Sequence, residues 1–99
     1  MKDTKLIQSL IQSHSDKLRS FGVTRIGIFG SVSQGKATAS SDVDVLLDFN
    51  TGKKTYRNFI GTANFLEEIL NNPVDAITSG SVSPYIKPYI EKDIQYVQI

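Results

Sequence analysis

The 99-residue sequence predicts an α/β (α+β) domain in which a small mixed β-sheet is flanked by helices. Two stretches, around residues 6–18 and 56–70, place apolar residues at helical spacing. Short apolar runs rich in β-branched and aromatic residues lie between and after them, bounded by glycine, proline or asparagine, as is typical of strands. This alternation predicts helices layered on a sheet, and the length suits a single domain over residues 1–99.

The composition excludes several classes of protein. Eleven basic and ten acidic residues leave a net charge of +1, so no stable nucleic-acid binding is expected. The chain has no cysteine for disulfides or thiolate metal sites, and its one histidine cannot form a zinc cluster. No stretch approaches the roughly 18 apolar residues of a membrane span. We therefore expect a soluble protein of the cytoplasm without membrane contact.

The N-terminal segment predicts one amphipathic helix followed by a strand. Asp3 or Thr4 can cap a helix whose apolar stripe continues to Leu18 and which ends at Phe21. His14 falls near this stripe, which favours a partly buried packing residue over a catalytic base. The β-branched and aromatic residues over 23–29 predict the first strand.

The first strand ends in Gly30-Ser31, the first candidate for ligand binding. A short helix over residues 31–36 is predicted there, with Gly35 ending it. Free backbone N–H groups and a hydroxyl would meet at the start of this helix, an arrangement that favours phosphate. The dipeptide alone would be compatible with an ordinary turn, and it is the pair of aspartates further along the chain that favours a phosphate site.

Asp42 and Asp44 open the second predicted strand, after a polar loop over residues 38–41 in which Ser41 can fix the first carboxylate. Alternate side chains of a strand share a face, so the two carboxylates lie about two rises of 3.3 Å apart. Such a pair repels unless a cation lies between its members, which predicts Mg²⁺ bound beside a nucleotide. Asp42 alone could be a turn residue, and Asp48, beyond the apolar run, is predicted to lie on the surface.

The second half of the chain predicts a long helix over residues 56–70 and a third strand over Val74–Thr78 that contains Asp75. A flexible hinge is expected at residues 79–81, and then a short helix that opens at Pro84 and that Pro88 kinks or delays. Residues 94–99 alternate as in a final edge strand or extended tail. The tyrosines and apolar residues over 85–99 could dock a partner or simply pack.

The residues singled out so far form one pattern, which resembles the signature of the DNA-polymerase-beta-like nucleotidyltransferase superfamily. Its parts are Gly30-Ser31, Gly35 and Ser41-Asp42-Val43-Asp44. The short length is similar to that of the minimal nucleotidyltransferases, which are commonly antitoxin partners of HEPN-domain ribonuclease toxins. The resemblance implies the polymerase-beta-like palm fold.

The resemblance also implies roles for individual residues. Two Mg²⁺ ions, for which Mn²⁺ could substitute, would be held by Asp42 and Asp44, with Asp75 as the third carboxylate beside the attacking hydroxyl. The nucleotide ATP would be bound by Gly30, Ser31, Gly35 and Ser41. Family members often carry arginine at two positions that hold Val32 and Gln34 here, and Lys36 is the nearby cation.

These implications predict an enzyme that moves AMP from ATP to a hydroxyl of a partner protein. That partner would be a HEPN-type toxin, inactivated by adenylylation. The alternative is a non-catalytic antitoxin that keeps the fold and neutralises its toxin by binding alone. The three carboxylates favour catalysis, whereas the missing arginines favour the alternative.

Overall fold

The structure of the protein is a computed structural model that describes residues 3–38 and 40–99. Ala39, within the polar loop predicted over residues 38–41, lies outside the described residues. The helices and strands, in chain order, are α1 (Thr4–Ser13), α2 (Ser15–Ser20), β1 (Val23–Phe29), α3 (Gly30–Ser33), β2 (Val43–Phe49), α4 (Tyr56–Leu70), β3 (Val74–Thr78), a 3-10 helix (Ser79–Ser81), α5 (Lys87–Glu91) and β4 (Gln95–Gln98).

The four strands form one sheet in the order β3-β2-β1-β4. Strand β1 pairs antiparallel with both β2 and β4, whereas β2 pairs parallel with β3 through a crossover that contains α4. A mixed sheet flanked by helices is therefore present, and the predicted fold class is confirmed. The parallel pair matters most for the site, because it places the starts of β2 and β3 at the same end of the sheet.

The two faces of the sheet differ in character. Val43, Val45 and Leu47 of β2 are buried in the core, together with residues of α1 and α4. The intervening residues of β2 lie on the opposite face, because successive side chains of a strand alternate. That opposite face carries Asp44 and Asp48 and is called the carboxylate face below.

The N-terminal segment forms two helices, so the prediction of one continuous helix is wrong. Asp3 caps α1, and its side chain accepts a hydrogen bond of 2.9 Å from the N–H of Lys5. At His14 the backbone leaves helical geometry, with φ −112° and ψ 22°. The His14 ring lies 2.8 Å from the Leu10 carbonyl oxygen through Nδ1 and packs edge-on against Phe65. His14 is thus the partly buried packing residue that was predicted.

The C-terminal half follows the prediction with one correction. Helix α4 ends at Asn71, which adopts a left-handed conformation with φ 52°. The expected hinge over residues 79–81 is a 3-10 helix. The next helix begins at Lys87 and not at Pro84, which confirms the delayed start that Pro88 predicted: Pro88 occupies the first turn, where a missing N–H costs nothing. The final strand is present as β4, paired with β1 at the edge of the sheet.

No helix among the residues that the structure describes combines the length and the apolar character needed to cross a membrane.

Candidate active site

The parallel pairing of β2 with β3 brings two of the predicted carboxylates side by side. Asp44 is in register with Asp75, and their neighbours Val43 and Val74 are paired in the same way. The N–H of Val43 also donates a hydrogen bond of 3.0 Å to the carbonyl of Pro73, which ties the start of β2 to the start of β3. The fold therefore gathers carboxylates that lie 31 residues apart in sequence at one end of the sheet.

The electrostatics of this end of the sheet disfavour a charged Asp44. Burial of its side chain raises its pKa above the ordinary value of 3.8, and the negative charges of Asp75 and then Asp42 raise it further. Asp42, just before β2, and Asp75 are themselves exposed. Two carboxylates thus act on Asp44, and a cation placed among these side chains would remove that repulsion.

Gly30 lies directly against Asp44. Its φ is +73°, and a Cβ added to it would come within 2.1 Å of the Asp44 Oδ2 atom. Any other residue at position 30 would therefore collide with the carboxylate as well as strain the backbone. The missing side chain lets the start of α3 approach the carboxylate, so the predicted phosphate-binding turn and the predicted metal-binding carboxylate are neighbours.

The remaining predicted site residues surround this contact. Ser31 is half-buried in the first turn of α3, and Phe29 before it provides no side-chain cap. Gly35 adopts φ +71° beyond the end of α3, and no atom lies within 4 Å of the position of a Cβ there. The Ser41 hydroxyl accepts a hydrogen bond of 3.0 Å from the N–H of Thr38. This hydrogen bond stabilises the conformation of the loop before β2, and Asp42 follows directly after Ser41.

The two positions at which the superfamily often has arginine are occupied differently here. Val32 is only 1% exposed and belongs to the hydrophobic core. The Gln34 amide nitrogen donates a hydrogen bond of 3.3 Å to the carboxylate of Asp93. Lys36 is exposed. Val32 therefore anchors α3 in the core, and Gln34, just after the helix, ties its end to Asp93.

The carboxylates at this end of the sheet are suitable ligands for Mg²⁺, but they do not by themselves surround a metal ion. As the side chains stand, no three His, Cys, Asp or Glu residues within 3–38 and 40–99 are grouped closely enough to hold a metal ion. The chemistry of the donors nevertheless suits it, because Mg²⁺ prefers one or two carboxylates together with phosphate oxygens over a cage made only of protein groups. Asp44 and Asp75, in register on one face, supply such donors.

A polar network on the carboxylate face was missed by the sequence analysis. Arg25 Nε donates a hydrogen bond of 2.9 Å to Asp48 Oδ2, the Ser79 hydroxyl donates to Asp48 Oδ1, and the Arg25 guanidinium lies 3.8 Å from the centre of the Tyr96 ring. The Asp48 side chain is 21% exposed, so the predicted surface residue is a half-buried ion-pair member. Asp48 lies four residues after Asp44, so the strand alternation puts both side chains on one face. This spacing was the signal that the sequence offered.

The sequence profile of the nucleotidyltransferase domain matches residues 10–97. The chain belongs to this family. The protein adenylyltransferase MntA of Thermococcus cleftensis is 36% identical over 92 residues, which cover 92% of each chain. The prediction of a nucleotidyltransferase is therefore confirmed, and this nucleotidyltransferase has protein adenylyltransferases among its relatives.

Solved structures share the fold of this nucleotidyltransferase. A structure provisionally named a minimal nucleotidyltransferase has a TM-score of 0.79 and 24% identity, and the match covers 94% of each chain. A second similar structure is that of a tri-AMPylated Shewanella oneidensis HEPN toxin in complex with MNT antitoxin, with a TM-score of 0.59 and 21% identity over 90% of this chain and 70% of the other. The predicted minimal nucleotidyltransferase fold is thus confirmed.

Proposed function

We propose that this nucleotidyltransferase, acting as one domain over residues 1–99 in the cytoplasm, transfers AMP from ATP to a hydroxyl of a HEPN-type toxin and so inactivates the toxin. The observation that carries the proposal is the contact of Gly30 with Asp44, itself in register with Asp75. A phosphate-binding turn and paired carboxylates are the two components that nucleotidyl transfer requires. The similarity to MntA and to the structure containing an AMPylated HEPN toxin supports a protein acceptor.

Each residue of the site has a distinct part in the proposed reaction. Backbone N–H groups at Gly30 and Ser31 would bind the outer phosphates of ATP, with Gly35 and Ser41 shaping the loops on either side. Asp42, Asp44 and Asp75 would hold two magnesium ions, which Mn²⁺ could replace. When bound, these ions neutralise the charge of the carboxylates and of the triphosphate.

The acceptor hydroxyl would approach beside Asp75, whose exposed carboxylate accepts its proton. The hydroxyl oxygen then forms a bond to the α-phosphorus of ATP, and the bond from that phosphorus to the bridging oxygen of the β-phosphate breaks. Pyrophosphate leaves in line with the attack. The small net charge of +1 offers little to hold an RNA end, which favours an acceptor on a docked protein.

The deciding experiment incubates the protein with the candidate HEPN toxin, magnesium and α-labelled ATP, and then locates the label by mass spectrometry. We expect an adenylylated toxin without ribonuclease activity. The control is a triple variant in which Asp42, Asp44 and Asp75 become Asn. A toxin that is neutralised without gaining mass, and equally by the triple variant, would establish the binding-only antitoxin instead.

Nucleotide binding should depend on the metal. Without a divalent cation the three acidic residues repel the triphosphate, so we expect ATP affinity to fall at least tenfold when magnesium is replaced by a chelator. Isothermal titration calorimetry of the apo protein measures both affinities directly. Manganese should restore binding. Equal affinities in chelator and in magnesium would contradict a metal-bridged site.

A further inference from the structure

Strand β4 is an edge of the sheet whose outer backbone groups have no partner among the described residues. The N–H of Ile99 donates a hydrogen bond of 3.0 Å to the Thr24 carbonyl of the segment that leads into β1. Backbone groups of a strand point alternately to its two sides. The N–H and C=O groups of Val97 therefore point towards β1, and those of Tyr96 and Gln98 point away from the sheet.

This edge lacks the features that normally prevent a strand from pairing with another chain. Edge strands are commonly protected by charged residues, proline or bulges. Residues 95–99 contain no charged residue and no proline, and the pairing of β4 with β1 is regular. Strand β3, at the other edge, carries Asp75, so pairing there would place a negative charge next to the added strand.

Open space lies along the same edge. A groove of about 570 Å³ separates β4 from α1, and its lining is mainly amide and hydroxyl side chains, with Lys5 as the charged member. The residues that α1 contributes are Lys5, Gln8, Ser9 and Gln12. Their side chains can hydrogen-bond to one another across a symmetric contact, because amides and hydroxyls act as both donors and acceptors.

We propose that β4 is a homodimer interface, at which a second copy of this chain adds its own β4 in antiparallel orientation. We place the two-fold axis at Val97, so that Val97 faces Val97 of the second copy. Tyr96 then faces Gln98 of the second copy, and the conformation of β4 does not need to change. All four outward N–H groups and all four outward carbonyls are then paired. The strand is self-complementary, and the uncharged residues place no like charges opposite each other.

The dimer would have a defined relation to the active site. The two-fold axis of an antiparallel pair is perpendicular to the sheet, so both carboxylate faces lie on the same side of one eight-stranded sheet. Five strand spacings of about 4.8 Å separate the two copies of β2, and the pairing places each Asp44 about three residues along the strand from the level of Val97, on opposite sides of the axis. The two sites would therefore lie roughly 31 Å apart, from about 24 Å across the strands and about 20 Å along them. Two active sites could then act on one face of a symmetric substrate. The interface itself does not depend on the proposed function.

The dimer can be tested by sedimentation equilibrium and amide hydrogen exchange on the purified chain. We expect reversible dimerisation, with the Tyr96 and Gln98 amides becoming protected as the concentration rises. The Val97 and Ile99 amides, which bond to β1 or to the segment that leads into it, should be protected at every concentration. A chain that sediments as a monomer up to about 1 mM, or a dimer with unprotected Tyr96 and Gln98 amides, would refute the interface.

A matched pair of variants isolates the backbone bond. Gln98→Pro removes an N–H that points away from β1, and should weaken dimerisation about thirtyfold through the loss of one hydrogen bond in each copy. Gln98→Ala keeps the N–H and should dimerise as the wild type does. Equal dissociation constants for the two variants would overturn the proposal. Protection of the Tyr96 and Gln98 amides only after addition of a HEPN toxin would also overturn it, by assigning this edge to the toxin.

Discussion

The Asp44→Asn variant is expected to lose nucleotidyl transfer by about a thousandfold or more while it keeps its fold. Asp44 is the residue on which the site converges, because it contacts the Gly30 turn and is in register with Asp75. An amide in its place donates one less charged oxygen and neutralises less of a bound cation's charge. Transfer of label from α-labelled ATP to the acceptor, under single-turnover conditions, measures the loss.

The same variant should be at least as stable as the wild type in the absence of metal. The raised pKa of Asp44 means that the folded chain binds this proton more tightly than the unfolded chain does. Its contribution to the free energy of unfolding is therefore largest at low pH, falls as the pH rises from 3.8 through the raised pKa, and stays low above it. Because Asn does not titrate, the melting temperature of the variant relative to wild type should increase across that pH window.

Asp16→Asn is the matched control for both measurements. Asp16 lies on α2, its side chain is largely exposed, and its partner is Arg19 of the same helix. It should change neither transfer nor the pH dependence of melting, because exposed ion pairs contribute little. If Asp44→Asn transferred label at the wild-type rate, or melted below wild type at neutral pH, the assignment of Asp44 to the metal site would be wrong.

The sequence was sufficient for those parts of the site that depend on local patterns. The alternation around Asp44 correctly placed it on the face opposite Val43 and Val45, and the apolar stripe over residues 56–70 correctly predicted helix α4. Asp75 was assigned to the site only through the family resemblance. A single charged residue in a short strand cannot be placed relative to Asp44 from the sequence, because the order of the strands in the sheet is not known at that point. The register that puts it beside Asp44 became visible only in the structure.

Other features depend on contacts that no local pattern encodes. The break between α1 and α2 at His14 involves a ring packed on Phe65, about fifty residues away in sequence. The ion pair of Asp48 requires Arg25 to lie opposite it on β1, which is a matter of strand register. His14 and Asp48 belong to no local sequence pattern that would indicate these contacts, because their partners are determined by tertiary packing and not by neighbours along the chain.

Gly30→Ala should reduce both the stability of the protein and the transfer of AMP. At φ +73° an alanine is strained by about 1–2 kcal/mol, and its Cβ would also lie 2.1 Å from Asp44 Oδ2. The carboxylate must therefore move, and a displacement of about 1 Å at a reacting centre can reduce the rate about a hundredfold. We expect a lower melting temperature together with this loss of transfer.

Gly52→Ala separates the backbone strain at Gly30 from the collision with Asp44. Gly52 has a similar φ of +80°, but no atom lies within 4 Å of the position of its Cβ. Its alanine variant should lose about 1–2 kcal/mol of stability through the same strain and keep wild-type transfer. Gly30→Ala should exceed it in both respects, measured by denaturant melts and label transfer side by side. Equal stability losses with transfer intact in both variants would show that Gly30 serves only the turn, and that the close approach of α3 to Asp44 has no part in catalysis.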